Sequence, residues 1–242
     1  MYGAEPNVPG GAQALFGSDT IVYMYATEAN GEYTTEVPAN AGTYWVKAFV
    51  AETVNYAGAE SEAVEFEIYA VADNAVTDLT FDESWTYYET PDPATPSAAA
   101  EFGEVLFRYA ALPEDFTGTD YSTITDWTDA MPTAVGRYVI CAYVEGTENY
   151  NGDEVYGEFE INPAQISVSG VDGYTGTYDG NVHNARIAGT ATTVDGVAVT
   201  WEYSRTGADG SWQTAQCVFR DAGTYTVWYK VSAANHEDIV GS

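Results

Sequence analysis

One motif occurs three times along the chain in the same order. Each copy has a glycine, then alternating apolar residues, and after a gap of three or four residues an asparagine followed by Tyr or His. The equivalent tyrosines are separated by 138 − 44 = 94 and 225 − 138 = 87 residues, a length that suits one small β-sandwich domain per copy. The copies are residues 42–50 with Asn55-Tyr56, residues 136–144 with Asn149-Tyr150, and residues 223–231 with Asn235-His236.

The alternation within the motif has a period of two, which predicts a β-strand with one buried face. In the first copy this face carries Tyr44, Val46, Ala48 and Val50. We expect these side chains in a core, together with their counterparts Tyr138, Ile140, Ala142, Val144, Tyr225, Val227, Tyr229 and Val231. The opposite face carries Lys47, Cys141 and Lys230, which we expect to face solvent.

The predicted fold class is all-β, with tandem immunoglobulin-like β-sandwich repeats in an elongated rod. No segment shows sustained apolar spacing of 3.6 residues with helix caps, and Tyr, Val, Thr and Gly are abundant. Helix is therefore expected only as isolated turns. Linkers between the copies are very short, which favours semi-rigid connections.

Three domains are expected: residues 1–70, the first segment; residues 71–162, the second; and residues 163–242, the third. Strand-like runs at 75–81 and 165–171 open the second and third segments, and none precedes Tyr2. Runs at 64–68 and 158–161 close the first two segments. We therefore expect the first segment to lack its first strand and the third its last.

Charge narrows the classes of partner. Seven basic residues face 37 acidic ones, and the formal charge is −30. Such a charge repels nucleic-acid phosphates and anionic membranes, so neither nucleic-acid binding nor membrane insertion is expected. No apolar run reaches transmembrane length.

Several short motifs resemble the MBG (YGX-type) and YDG-type repeats of bacterial surface proteins. Residues 2–9 (YGAEPNVP) resemble the opening of YGX repeats, and residues 87–92 are similar, with Tyr88 in place of the glycine. Residues 41–48 (AGTYWVKA) are similar to their late strand, and residues 178–183 (YDGNVH) resemble the YDG type. The resemblance implies an extracellular protein at the cell surface or in the cell wall of a bacterium, with no catalytic residues to transfer.

The expected function is that of non-catalytic stalk or spacer repeats in a secreted, adhesin-like protein, whose partners are the neighbouring repeats of the same chain. One alternative is a module that binds a carbohydrate or host protein through loops at the sandwich ends. Another is an accessory domain of a secreted enzyme. A binding module needs an exposed aromatic cluster or concave patch in one copy only, whereas a spacer needs none.

No catalytic residue, cofactor or metal ligand is predicted. His183 and His236 lack partners at zinc-ligand spacing and are interpreted as framework positions. The acidic residues near the junctions favour a solvated surface, with calcium binding as the alternative, because no run matches a twelve-residue calcium loop. These residues are Asp73, Asp78, Asp82, Glu237 and Asp238.

Three other residue types invite a chemical reading. An isopeptide crosslink would need a buried lysine with a lowered pKa, and both lysines fall on the outward face. Trp85, Trp127 and Trp212 could stack on sugars, but we expect them to close the ends of cores. Cys141 and Cys217 occupy non-equivalent positions in two copies, so we expect unpaired thiols rather than a disulfide.

Overall fold

A computed structural model describes residues 1–5, 7–16, 20–90 and 92–242. The chain is all-β, with 39% of residues in strands and 2% in helix, and its several sheets are consistent with a β-sandwich. The prediction of isolated helical turns is confirmed. Pro6 and Pro91, which belong to the family-like motifs, lie outside the described residues.

The first segment forms a four-stranded antiparallel sheet centred on the predicted late strand. β2 pairs with β1, β3 and β4, and Tyr44 of β2 lies opposite Phe66 of β4. The strands are β1 (Val22–Ala26), β2 (Gly42–Val50), β3 (Ala59–Glu60) and β4 (Val64–Ile68).

The second segment has a sheet in the order β6-β10-β9-β8 and a separate β5–β7 pair. β10 runs parallel to β6, with Ile161 opposite Trp85. A 3₁₀ helix, Tyr121–Thr123, lies in the long β8–β9 connection. The strands are β5 (Thr77–Thr80), β6 (Ser84–Thr86), β7 (Ser97–Ala99), β8 (Leu106–Ala111), β9 (Gly136–Val144) and β10 (Asp153–Asn162).

The third segment is built from one three-stranded sheet and several two-stranded pairs. β17 lies between β15 and β19 in antiparallel register, and β11 runs parallel to β18. The strands are β11 (Ala164–Gln165), β12 (Ser167–Asp172), β13 (His183–Asn184), β14 (Ala188–Thr192), β15 (Thr200–Ser204), β16 (Val218–Phe219), β17 (Trp228–Ser232), β18 (His236–Glu237) and β19 (Ile239–Gly241).

The chain divides into two compact units. One comprises residues 1–79, 98–107 and 142–155, and the other comprises residues 80–97, 108–141 and 156–242. The division runs through the second segment. The expected boundaries near residues 70 and 162 therefore each lie inside a unit.

Burial of the residues in the repeated motif differs between the three segments. In β9 the expected face is buried, from Tyr138 to Val144. In the first segment Val50 is buried and Tyr44, Val46 and Ala48 are half-buried. In the third segment Val227 and Val231 are buried and Tyr229 is half-buried. Tyr225 is 45% exposed and lies outside the strands of the described residues, so the expectation is wrong for Tyr225.

The expectation that Cys141 faces solvent is also wrong. Cys141 and Val139, both on the other face of β9, have no exposed surface. The β8–β9 connection covers this face at Val139, because Phe116, Ile124 and Trp127 pack with Val139 in one cluster. Burying both faces of β9 makes it the most enclosed strand among the described residues.

Candidate functional site

Asn149 links the first segment to the second. Its Oδ1 accepts a hydrogen bond from the Ala41 N–H at 2.7 Å, and its carbonyl accepts one from the Val71 N–H at 2.9 Å. Nearby, the Tyr2 N–H donates to the Tyr69 carbonyl at 2.8 Å, and the Tyr2 and Tyr150 rings lie 6.2 Å apart. One asparagine thus bonds both to the turn before β2 and to the chain that leaves the first segment.

Asn235 makes the same contacts between the second and third segments. Its Oδ1 accepts from the Val135 N–H at 3.0 Å, and its carbonyl accepts from the Ala164 N–H at 3.0 Å. The Tyr87 N–H donates to the Asn162 carbonyl at 2.7 Å. The Tyr87 ring lies 5.7 Å from His236.

A tyrosine shapes the turn that receives each asparagine. The Tyr44 hydroxyl donates to the Asn40 carbonyl at 3.1 Å, and the Tyr138 hydroxyl donates to the Ala134 carbonyl at 2.9 Å. Tyr225 makes the same bond to Asp221 at 3.1 Å. In the first two cases the N–H that meets the asparagine belongs to the next residue, so the tyrosine fixes that donor.

Asn55, the equivalent asparagine of the first segment, sits in the same loop conformation as Asn149. The Asn55 N–H donates to Thr53 Oγ1 at 3.2 Å, and the Thr53 N–H donates to the Tyr56 carbonyl at 2.9 Å. At Asn149 the corresponding distances, to Thr147 and from Thr147 to Tyr150, are 3.1 and 2.9 Å. The loop is therefore preorganised by its own threonine.

His236 belongs to a buried polar cluster at the second junction. Its side chain has no exposed surface, and its Nε2 lies 3.7 Å from Asp195 Oδ1. The Tyr87 hydroxyl donates to Asp195 at 2.9 Å. This bond raises the pKa of Tyr87. Burial alone would raise the pKa of Asp195, but bonds from the Val197 N–H and Tyr87 and the charge of His236 lower it.

His236 is the counterpart of Tyr56 and Tyr150 in the repeated motif, but nothing in the motif indicates that Asp195 and Tyr87 are its neighbours. Asp195 lies in the connection between β14 and β15, far from His236 along the chain. No sequence spacing could have revealed that contact. Donation from Nδ1 to the Ala234 carbonyl at 2.8 Å leaves Nε2 facing the carboxylate.

His183 makes a separate, more exposed pair with Asp179. Nε2 lies 2.8 Å from Asp179 Oδ1, and the ring stacks on Tyr174 at 5.0 Å. The hydrogen bond from His183, with those from Asn181, lowers the pKa of Asp179 to about 2. The pair braces the loop before β13.

Both lysines are half-buried and salt-bridged on the outward face. Lys47 Nζ lies 3.4 Å from Glu60, and Lys230 Nζ lies 2.6 Å from Glu202. The hydrogen bond with Glu202 raises the pKa of Lys230. An isopeptide crosslink requires the opposite shift, toward a neutral amine.

The acidic residues near the junctions do not converge. Asp82 accepts the Ala94 N–H at 2.7 Å, Asp78 accepts the Thr77 hydroxyl at 3.2 Å, and Glu237 accepts from Gln165. Across residues 1–5, 7–16, 20–90 and 92–242, no group of three or more His, Cys, Asp or Glu side chains is arranged to hold a metal ion. Asp73 and Asp238 join no such group.

The tryptophans considered as sugar platforms are half-buried. Trp85 stacks on Phe159 at 5.1 Å. Trp127 donates its Nε1 hydrogen to the Ile124 carbonyl at 2.9 Å, and Trp212 lies 5.5 Å from Lys230 Nζ. Cys141 and Cys217, both described and buried, form no disulfide.

A groove of about 700 Å³ lies within the third segment. The groove is lined by residues 171–178, 183–185, 187, 219–227, 229 and 242. Tyr174, Tyr178 and Tyr225 are 37%, 62% and 45% exposed. No sequence motif marks this groove, because the stretches of chain that line it, around residues 171–187 and 219–229, are far apart in the sequence.

No protein-family model matches the chain, and the search of curated proteins finds no match. Among the helices of the part that the structure describes, none is long and apolar enough to cross a membrane.

Proposed function

We propose that the chain is a set of three immunoglobulin-like repeats that serve as a non-catalytic, semi-rigid spacer in a secreted or surface-attached, adhesin-like bacterial protein. The observation that carries this proposal is the recurrence of one contact set at Asn149 and at Asn235. A spacer must hold successive domains at a fixed angle. Equivalent hydrogen bonds at successive junctions would repeat the same angle between neighbouring domains.

The junctions suit the fixed connections that a spacer needs, because each combines main-chain and side-chain hydrogen bonds. Each asparagine uses its own carbonyl and its side-chain oxygen on two different stretches of chain. Because these bonds and the short length already restrict each linker, holding it in one conformation costs little further conformational entropy. The MBG and YDG resemblance supports the surface location, and the charge of −30 favours solubility.

Nuclear magnetic resonance tests the semi-rigid junctions directly. Residual dipolar couplings measured in the three segments of the intact chain should fit a single alignment tensor. Segments that require separate tensors would show independently moving domains and contradict the spacer proposal.

A second candidate function, a binding module, is favoured by the groove of the third segment. It is concave and exposes three tyrosines, and an exposed aromatic cluster in a concave surface is a feature expected of a binder. The two functions are compatible, because a spacer can carry a ligand site in one of its repeats.

A further inference from the structure

We propose that the second junction contains a pH-sensitive latch, in which protonation of the buried His236 completes an ion pair with Asp195 and so holds the third segment more firmly on Tyr87 of the second. The inference deepens the spacer function proposed above, on which it rests, by making one junction respond to pH. The three residues lie in the same compact unit, residues 80–97, 108–141 and 156–242.

The tautomer of His236 leaves one ring nitrogen without a partner. Nδ1 lies 2.8 Å from the Ala234 carbonyl, and because a carbonyl only accepts, Nδ1 carries the hydrogen of the neutral ring. Nε2 then presents a lone pair. It has no hydrogen-bond partner among the described residues, and the side chain has no exposed surface. An unpaired polar atom in such a place is destabilising.

The group that Nε2 faces is a carboxylate. Asp195 Oδ1 lies 3.7 Å from Nε2, and the Asp195 side chain is only 6% exposed. While the ring is neutral, a lone pair meets a negatively charged oxygen, and the contact is repulsive. A proton on Nε2 supplies both a donor and the opposite charge, so the contact can shorten into a charge-assisted hydrogen bond. Histidine is the side chain that makes this change near neutral pH.

Tyr87 connects the pair to the second segment. Its hydroxyl donates to Asp195 Oδ2 at 2.9 Å, and its ring meets the His236 ring edge-on at a centroid distance of 5.7 Å. One carboxylate therefore contacts both residues. A charged His236 offsets the unfavourable burial of that carboxylate. Protonation thus favours the arrangement in which Tyr87 is bound.

The Asp195 carboxylate stays charged where a histidine gains its proton. Burial acts to raise the pKa of Asp195, but hydrogen bonds from the Val197 N–H, Tyr87 and Thr193 and the charge of His236 lower it below its usual range. The ion pair is therefore present in mild acid and is lost only as pH falls through the lowered pKa of the carboxyl.

The other ionisable groups near His236 point to solvent. The turn at 132–136 and β11, which pairs with β18, contribute none. Those on the neighbouring stretches of chain are exposed, and they are Tyr88, Glu89, Glu237 and Asp238. Asp195 and Tyr87 are thus the ionisable groups that face the ring from the elements packed against it.

Nitrogen-15 spectra of the imidazole ring test the ring chemistry directly. The chain has two histidines, so His183→Gln leaves the signals of His236 alone. At pH 8 we expect its hydrogen on Nδ1, and at pH 5 we expect hydrogens on both nitrogens. A hydrogen on Nε2 at pH 8, or a ring that is still neutral at pH 5, would overturn the latch.

Hydrogen exchange measures the effect on the junction. The Ala164 N–H donates to the Asn235 carbonyl at the second junction, and the Val71 N–H makes the equivalent bond to Asn149 at the first. From pH 8 to pH 5 the protection factor of the Ala164 amide should rise at least about tenfold, as a charge-assisted hydrogen bond implies. That of Val71 should change by less than about twofold, because Tyr150 takes the place of His236 there.

His236→Gln and Asp195→Asn each remove one charge of the pair at similar side-chain size, and both should abolish the rise at Ala164. His183→Gln, at the more exposed histidine, is the matched control and should keep it. Circular dichroism checks that each variant folds. Protection at Ala164 that is equal at the two pH values in the unaltered chain, or a rise that persists in His236→Gln or Asp195→Asn, would overturn the latch. These results leave the spacer proposal standing, because a junction that does not respond to pH can still give a single alignment tensor.

Discussion

At the residue scale, the most specific feature of the two junctions is the pair of equivalent asparagines, Asn149 and Asn235. Asn149 and Asn235 each accept an N–H from the turn of the preceding segment, whereas no side-chain hydrogen bond of Asn55 is found among the described residues. The three residues share a sequence context but differ in what they contact. Asn55 is therefore a natural control for the other two.

Replacing Asn149 or Asn235 with Ala should lower the free energy of unfolding by about 0.5–1.5 kcal/mol, the usual net value of a hydrogen bond. Asn55→Ala should change it by less than about 0.5 kcal/mol. Urea denaturation followed by tryptophan fluorescence measures all three. Equal losses at Asn55 and Asn149 would mean that the asparagines stabilise only their own loops.

The stability lost on substituting a core residue of β2 or β9 should depend on how buried that residue is, not on the sequence pattern that the two strands share. Ile140 is fully buried, so Ile140→Ala should cost about 2–5 kcal/mol. Val46 is half-buried, and Val46→Ala should cost about 1 kcal/mol because less apolar area is lost. Denaturant midpoints measure both losses of stability, provided that the variants unfold with the same dependence on denaturant concentration. A larger loss for Val46→Ala than for Ile140→Ala would contradict the prediction.

Asp179 gives a pH-dependent signal in the third segment. Its pKa falls from an ordinary 3.8 to about 2 because it accepts hydrogen bonds from His183 and Asn181. A carboxyl whose pKa is lowered by folding adds stability above its unfolded pKa and loses it as pH falls through the folded value, here between about 4 and 2.

Carbon-13 titration of the Asp179 carboxyl should therefore show a midpoint near 2, and His183→Ala should move the midpoint back toward 3.8. Asp120, whose pKa is lowered by its own bond to Ser122, provides a reference that should not move. An unchanged Asp179 midpoint in His183→Ala would show that the histidine is not the cause.

At the element scale, β9 is enclosed on both faces while β2 and β17 are less covered. The difference comes from the β8–β9 connection, whose apolar side chains pack on Val139. Cys141 shares that face and has no exposed surface. The reactivity of the Cys141 thiol therefore reports whether this face of β9 remains covered.

A thiol reagent should react negligibly with Cys141 and Cys217 in the native protein and with both in denaturant, because burial keeps thiols inaccessible. Phe116→Ala should speed the reaction of Cys141 and leave that of Cys217 unchanged. Mass spectrometry of the labelled peptides assigns each site. Rapid labelling of Cys141 in the native protein would contradict the covered face.

Sequence periodicity predicted these elements well where a local pattern decides structure. The alternating runs at 42–50 and 136–144 are β2 and β9 with the bounds expected. It failed where a distant part of the chain decides burial: the buried Cys141 beside the loop on Val139, the exposed Tyr225 and the Asp195–His236 contact. Each depends on which stretch of chain lies opposite, and a strand pattern does not contain that information.

At the scale of the whole molecule, the most deeply buried residues cluster in the second segment. Val139, Ile140, Cys141 and Ala142 have no exposed surface. Backbone amides in such a strand exchange only through large openings. Hydrogen exchange should therefore show slower exchange in β9 than in β2 or β17, and uniform protection across the three would contradict the unequal burial.

Small-angle X-ray scattering of the intact chain tests the central claim, a semi-rigid spacer of three domains, most directly. A compact globule of this length has a radius of gyration of about 18 Å. Three domains placed end to end, each about one nine-residue strand long, predict roughly 25–30 Å and a pair-distance distribution with an extended tail. A radius near 18 Å with a symmetric distribution would contradict the spacer.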